Sequence, residues 1–249
     1  MSSPSAPAAP AGRALVVAGA GRYTDPWHPF SATAAAVADV VRGVGLEVDV
    51  TPDEDGAVED ALARLADPAV RPDLLVLSVG LPRDGAPSPA PGPALDGLRA
   101  FCAEGRALLG CHVAATSFVE VPAWEDRLGG RWVRDVTWHP EIGPASVRVR
   151  RGAHPSLADG GGPPVPDVVE LVDEVYCDLR VADDVVVLAD AEHEGRTHPL
   201  AWVREEPGGR RTAYDALGHD ERSFTSAGHR ALLDRLVRWL AAAPAPRAA

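Results

Sequence analysis

The chain has 249 residues, 46% of them hydrophobic, and a formal charge of −12. That is enough apolar material to bury a sizeable core, and the negative surface repels phosphate backbones and anionic lipid heads, which argues against nucleic acid and membrane surfaces as partners. All 24 basic residues are arginine, and lysine, asparagine and glutamine are absent, so lysine Schiff bases, the lysine-dependent phosphate loop and a Cys-His-Asn triad are excluded.

In chain order, residues 14–20 form a short apolar run ending in glycine, read as a buried parallel strand. A polar loop over 21–29 follows, then a helix from a Ser31 cap to about residue 44, stopped by Gly43 and Gly45. Residues 47–50 read as a strand, 57–66 as a helix and 73–79 as a strand buried on both faces. After a proline-rich loop at 81–93 come a helix at 94–104 and a fourth strand with its exit at 107–112. Strict alternation of this kind means a parallel sheet with helices on its faces, with 15–18, 74–77 and 108–110 as central strands. Ligands of such sheets bind outside the carboxyl ends of the strands, here at 23–28, 79–93 and 111–116.

The second half changes character. Residues 145–150, 168–175, 185–189, 200–204 and 211–214 are short strand-like runs between Gly/Pro turns, and 226–242 is a closing amphipathic helix. One domain over 13–242 is expected, with disordered tails at 1–12 and 243–249. No apolar run approaches the roughly 18 residues needed to cross a bilayer, and residues 1–12 lack the pattern of a signal peptide. Three cysteines, Cys102, Cys111 and Cys177, without CxxC spacing give neither a disulfide framework nor a zinc knuckle. A cytoplasmic, reducing location is expected.

The sharpest local feature is Gly110-Cys111-His112-Val113-Ala114 at a strand-to-helix turn, the layout of a nucleophile elbow with His112 at its apex and Cys111 one position early. The plainer reading of Cys111 is a buried small hydrophobe. His139-Pro140-Glu141 matches the tripeptide that completes an amidotransferase triad, but it follows Cys111 too soon. Asp173 and Glu174 are adjacent on a strand, so only one can face a given pocket. His139, His154, His198 and His219 adjoin Pro, Gly or Asp and read as loop residues, whereas His193 and His229 look incidental.

These pieces have an order. A loop histidine after the first strand (His28), Gly110 to Ala115, Gly129-Gly130 with His139-Pro140, His154-Pro155, Asp173 to Tyr176, His198 to Trp202, Gly218-His219-Asp220 and a last helix with Trp239 resemble the ThuA-like (trehalose-utilisation) family over roughly residues 13–242. The resemblance implies a class I glutamine amidotransferase-like, flavodoxin-like sandwich around a mostly parallel sheet, with His112 where the relatives carry their cysteine. The loop at 22–28 and the proline-rich 81–93 loop depart from the family pattern.

The residues themselves suggest a pocket with imidazoles His28, His112, His198 and His219, carboxylates Glu174 and Asp220, and aromatic walls Tyr23, Trp27, Trp138 and Tyr176. Aromatic faces with carboxylates suit a polyhydroxylated ligand. The expectation is therefore a sugar-active enzyme, hydrolysing or isomerising a glycoside or keto-sugar without glutaminase activity. His112 and His219 would be acid/base groups, Glu174 would position the ligand, and His28, Tyr23, Trp27, Tyr176, His198 and Asp220 would bind it. No cofactor and no metal ligand are assigned, although imidazoles also suit a divalent metal. A metal-dependent hydrolase and a binding protein without turnover remain as alternatives, and self-association into a homo-oligomer is left open.

Overall fold

The computed structural model describes residues 12–104, 106–158 and 161–242; most of both tails lies outside these ranges. Strand β1 (Arg13–Ala18) leads through helix α1 (Phe30–Gly43) to β2 (Glu47–Val50), through α2 (Ala57–Arg64) to β3 (Leu74–Ser78), and through α3 (Pro93–Ala103) to β4 (Ala107–Cys111). After α4 (Pro122–Leu128) the strands are β5 (Gly130–Arg131), β6 (Gly143–Val149), β7 (Val168–Asp173), β8 (Arg180–Val181), β9 (Val186–His193), β10 (Arg196–Glu206) and β11 (Arg210–Asp215), and α5 (Ala227–Ala241) closes the described chain.

Nine of these strands form one sheet in the order β2-β1-β3-β4-β11-β10-β9-β6-β7. The β2, β1, β3, β4 and β11 neighbours pair in parallel, and the neighbours from β11 to β7 pair antiparallel. The three strands expected at the centre are interior: Leu74 to Leu77 are fully buried, because helices cover both faces there. Helix α1 packs with α5, and α3 packs with α2 and α4. Right-handed crossovers put α1 on the face opposite α2 and α3, since the chain moves outward from β1 to β2 and then reverses past β1 to β3. That reversal creates a switch point at the carboxyl ends of β1 and β3.

Local detail departs from the sequence reading in a few places. Ser31 does not cap α1: the cap position is Pro29, and the Ser31 hydroxyl donates to Asp53 Oδ2 at 2.9 Å. α4 adds a helix that the sequence pattern between 112 and 145 does not signal, since its seven residues show little periodicity. His198 stands inside β10, where register shifts after Pro199 mark a bulge that tolerates the proline. Ser226 does cap α5, accepting from His229 N. The α2–α3 contact is close enough that a Cβ on Gly97 would lie 1.9 Å from Leu62 O.

Candidate functional site

His28 follows β1, His112 follows β4, His219 follows β11 and Glu174 follows β7. Four strand ends thus deliver the four side chains. β7 stands at the opposite sheet edge from β2, yet its end returns to the site. The buried Asp173 carboxylate accepts from Gly218 N (2.7 Å), His219 N (3.2 Å), Glu174 N (2.8 Å) and the Ser223 hydroxyl, which ties the end of β7 to the loop after β11. Asp173 faces this scaffold and Glu174 faces the cluster, the alternation expected of adjacent strand residues.

His112 occupies the elbow. Its φ of +42° lies in the left-handed region that non-glycine residues avoid. Hydrogen bonds hold it there: His112 Nδ1–H donates to Ala216 O at 2.6 Å, and the Tyr214 hydroxyl donates to His112 O at 2.8 Å. At Gly110, two residues back, a Cβ would lie 2.4 Å from Leu128 Cδ1, so any side chain there would force the buried Leu128 to shift. Cys111 is buried at the end of β4 opposite Asp215, and burial pushes its thiol well above the ordinary value.

One donor atom from each of His28, His112, Glu174 and His219 lies within 4.8 Å of every other. The ring centroids are 5.2 Å apart for His28–His112, 4.6 Å for His28–His219 and 5.5 Å for His112–His219. His219 Nδ1 is 3.2 Å from Glu174 Oε1, and His112 Nε2 is 3.6 Å from Glu174 Oε2. His28 Nδ1 is held by both Asp25 oxygens at 2.8 Å, which presents Nε2 as a bare lone pair. That Nε2 is buried without a hydrogen-bond partner, whereas the partner of His219 Nδ1 is the Glu174 carboxylate.

Burial opposes charge on His28, Glu174 and His219, and the outcome differs with the neighbours. His28 is pushed down to about 4 by burial, with His112 and His219 adding to the effect over the opposing pull of Asp25. Burial also penalises the Glu174 carboxylate, but His112 and His219 beside it outweigh this and hold it well below the usual range. His219 is disfavoured as a cation by burial, and Glu174 more than compensates, raising it.

The other expected residues are placed differently. Tyr176 is in the cluster, its hydroxyl 2.8 Å from His112 Nε2. His198 is not: its Nδ1 accepts from Asp178 N at 3.2 Å, so it braces the turn after Tyr176. Tyr23 is buried, donates to Glu59 Oε1 at 2.5 Å and packs against Phe118, because its loop folds back toward α2. Trp27 is exposed, with the Arg83 guanidinium 4.7 Å from its ring centroid. Asp220 is engaged by Arg222. Trp138 packs on His193 and is replaced as an aromatic wall by Trp132, whose ring centroid is 4.8 Å from that of Tyr176.

Several residues escaped the sequence reading. Asp25, three positions before His28, also accepts from Trp27 N and His28 N, an Asp-turn signal that the Asp-Pro-Trp-His string carries. His139, set aside with its tripeptide, has Nδ1 3.5 Å from Glu174 Oε1. His229 is not incidental: it is fully buried, its Nε2 2.9 Å from Asp215 Oδ2 and its Nδ1 2.9 Å from the Ser223 hydroxyl. No local pattern flags it.

Among the described residues, no helix is long and apolar enough to cross a membrane. No match was found among the curated proteins. Among solved structures, the fold is similar to a ThuA-like protein from Parabacteroides merdae (TM-score 0.70, 16% identity, covering 93% of this chain and 90% of that one). A ThuA-like protein from Bacteroides uniformis is similar too (0.67, 18%, 95% and 94%). A β-galactosidase from Bacillus circulans is a more distant likeness (0.51, 12%, 91% of this chain and 31% of that one). At such identities these likenesses carry the fold alone. The ThuA family, described as trehalose utilisation, matches residues 13–240, and the chain belongs to it.

Proposed function

We propose that this protein is a metal-dependent enzyme acting on a small, hydroxyl-rich, sugar-like molecule, with His28, His112, His219 and Glu174 as ligands of one divalent ion. The observation that carries this reading is the convergence of one donor atom from each of His28, His112, His219 and Glu174 within 4.8 Å of the others, with His28 Nε2 buried and without a hydrogen-bond partner. Leaving a buried polar atom unpaired costs on the order of 1–3 kcal/mol, so the bare His28 Nε2 beside two imidazoles and a carboxylate calls for an electrophile. Asp25 on His28 Nδ1 and Ala216 O on His112 Nδ1 are the outer partners that fix a ligating tautomer. Donors sharing an ion at about 2.1 Å each are at most about 4.2 Å apart, so small side-chain rotations close a cluster that spans 4.8 Å. Three imidazoles and one carboxylate suit a borderline first-row ion of the zinc type. Such an ion polarises a carbonyl oxygen or lowers the pKa of a bound water.

The sugar-like ligand is supported by the Tyr176 and Trp132 rings and by the family's description, trehalose utilisation. Under this reading His112 and His219 are ligands rather than the acid/base pair expected from sequence. Glutaminase activity is not part of it, because the Cys111 thiol is buried and strongly resists ionisation.

The test starts from chelator-stripped protein titrated with Zn²⁺ or Co²⁺, alongside His219→Ala and Glu174→Gln. One tightly bound ion per chain, weakened by at least tenfold in each variant, is expected. Absence of stoichiometric binding, or equal affinity in the variants, would refute the metal centre. Turnover of a panel of glycosides and keto-sugars by loaded but not stripped protein tests the reaction. Ligand binding without turnover by the loaded protein would reduce it to a binding protein.

A further inference from the structure

Tyr176 belongs to the site in a way the ligand set leaves unexplained. His112 Nδ1 donates to Ala216 O, so in the neutral ring Nε2 is an acceptor, and the Tyr176 hydroxyl 2.8 Å away donates to it. The Tyr176 ring is buried, 4.6 Å from the His112 centroid and 4.8 Å from that of Trp132, so the phenol has little freedom to turn away. An ordinary tyrosine ionises at about 10, so the group is a phenol and a donor at neutral pH.

The Nε2 lone pair can serve the phenol proton or an ion, not both. We infer that Tyr176 is a catalytic hydrogen-bond donor of this site: when His112 serves as a ligand, the phenol donates instead to the oxygen atom bound beside it, whether water or a substrate hydroxyl or carbonyl. This rests on the metal reading above. The geometry supports it because an oxygen sharing an ion with His112 Nε2 sits about 3 Å from that nitrogen, the range at which the Tyr176 hydroxyl is already held. A neutral donor there stabilises negative charge developing on the bound oxygen without adding charge of its own. The competing acceptor is Glu174 Oε2, 3.6 Å from the same nitrogen.

Tyr176→Phe separates the roles because its two consequences have opposite signs. Removing the phenol frees the His112 lone pair, so Co²⁺ affinity in a chelator competition should rise, by about fivefold, the weight of one neutral hydrogen bond. Removing the donor should weaken azide binding to the Co²⁺-loaded protein, read from its visible spectrum, by about tenfold. Weaker Co²⁺ binding in Tyr176→Phe would mean that the phenol is itself a ligand or a brace. Unchanged azide affinity would mean that it donates to Glu174. Either result overturns the inference while leaving the metal centre standing. Failure of the unsubstituted protein to bind Co²⁺ overturns both.

Discussion

Asp173 is the residue whose loss should tell most about how the site is built. It is 2% exposed and accepts four hydrogen bonds: Glu174 N and His219 N on Oδ1, Gly218 N and the Ser223 hydroxyl on Oδ2. Asp173→Asn keeps the shape but turns one oxygen into a donor, which then faces two donors. Hydrogen bonds to a charged group contribute about 1.5–3 kcal/mol each. Two are lost, part is recovered if the Ser223 hydroxyl turns to accept, and about 3 kcal/mol of destabilisation remains. For a chain of this size that is a melting temperature lower by roughly 10 °C. Two of the three backbone donors belong to Glu174 and His219 and the third to Gly218 beside His219, so the Co²⁺ affinity of the proposed centre should fall by about 10–100-fold, as when the hydrogen-bond partners of metal ligands are removed. Urea denaturation and Co²⁺ competition on Asp173→Asn read both quantities, with the exposed Asp39→Asn as control. A stability loss under about 1 kcal/mol with unchanged affinity would refute the idea that Asp173 couples the end of β7 to the loop after β11.

Two further outcomes follow from the geometry. Gly97→Ala should destabilise by about 2–3 kcal/mol despite alanine's better helix propensity, because its Cβ would fall 1.9 Å from Leu62 O and force α2 and α3 apart; a melting temperature at or above the parent's would contradict the close crossing. In the metal-stripped protein His28 is pushed by burial down to about 4, below the unfolded value of about 6.5. The unfolded chain therefore binds the proton more readily, and the stability from neutral His28 is complete above about pH 6.5 and lost as pH falls toward 4, by up to about 3 kcal/mol. The raised His219 acts in the opposite sense, so the comparison is with His28→Gln: its urea-unfolding stability should fall less steeply between pH 6.5 and 4.5, and parallel pH profiles would remove His28 from the account.

The family and the parallel half of the sheet were legible in the sequence for a local reason. A strand buried on both faces must be continuously apolar, as at Leu74 to Leu77, and a helix must show its stripe, as α1 does with Val37, Val40 and Val41. His28, His112, His219 and Glu174 were legible because polar residues just past strand ends of an α/β sheet have few other reasons to be there. What only the tertiary structure decided is which of the polar residues meet. His198 and Tyr23 carry the same local signature as true cluster members, yet one braces Asp178 and the other reaches Glu59. Asp25, Asp173 and His229 act by holding groups far away in the chain or by fixing a ring's tautomer, and neither role leaves a periodic trace. The choice between proton transfer and metal ligation was also beyond the sequence. The proposed metal reading needs Glu174 beside the three imidazoles, and that placement is set by how the antiparallel half of the sheet brings the end of β7 back to the loop after β11.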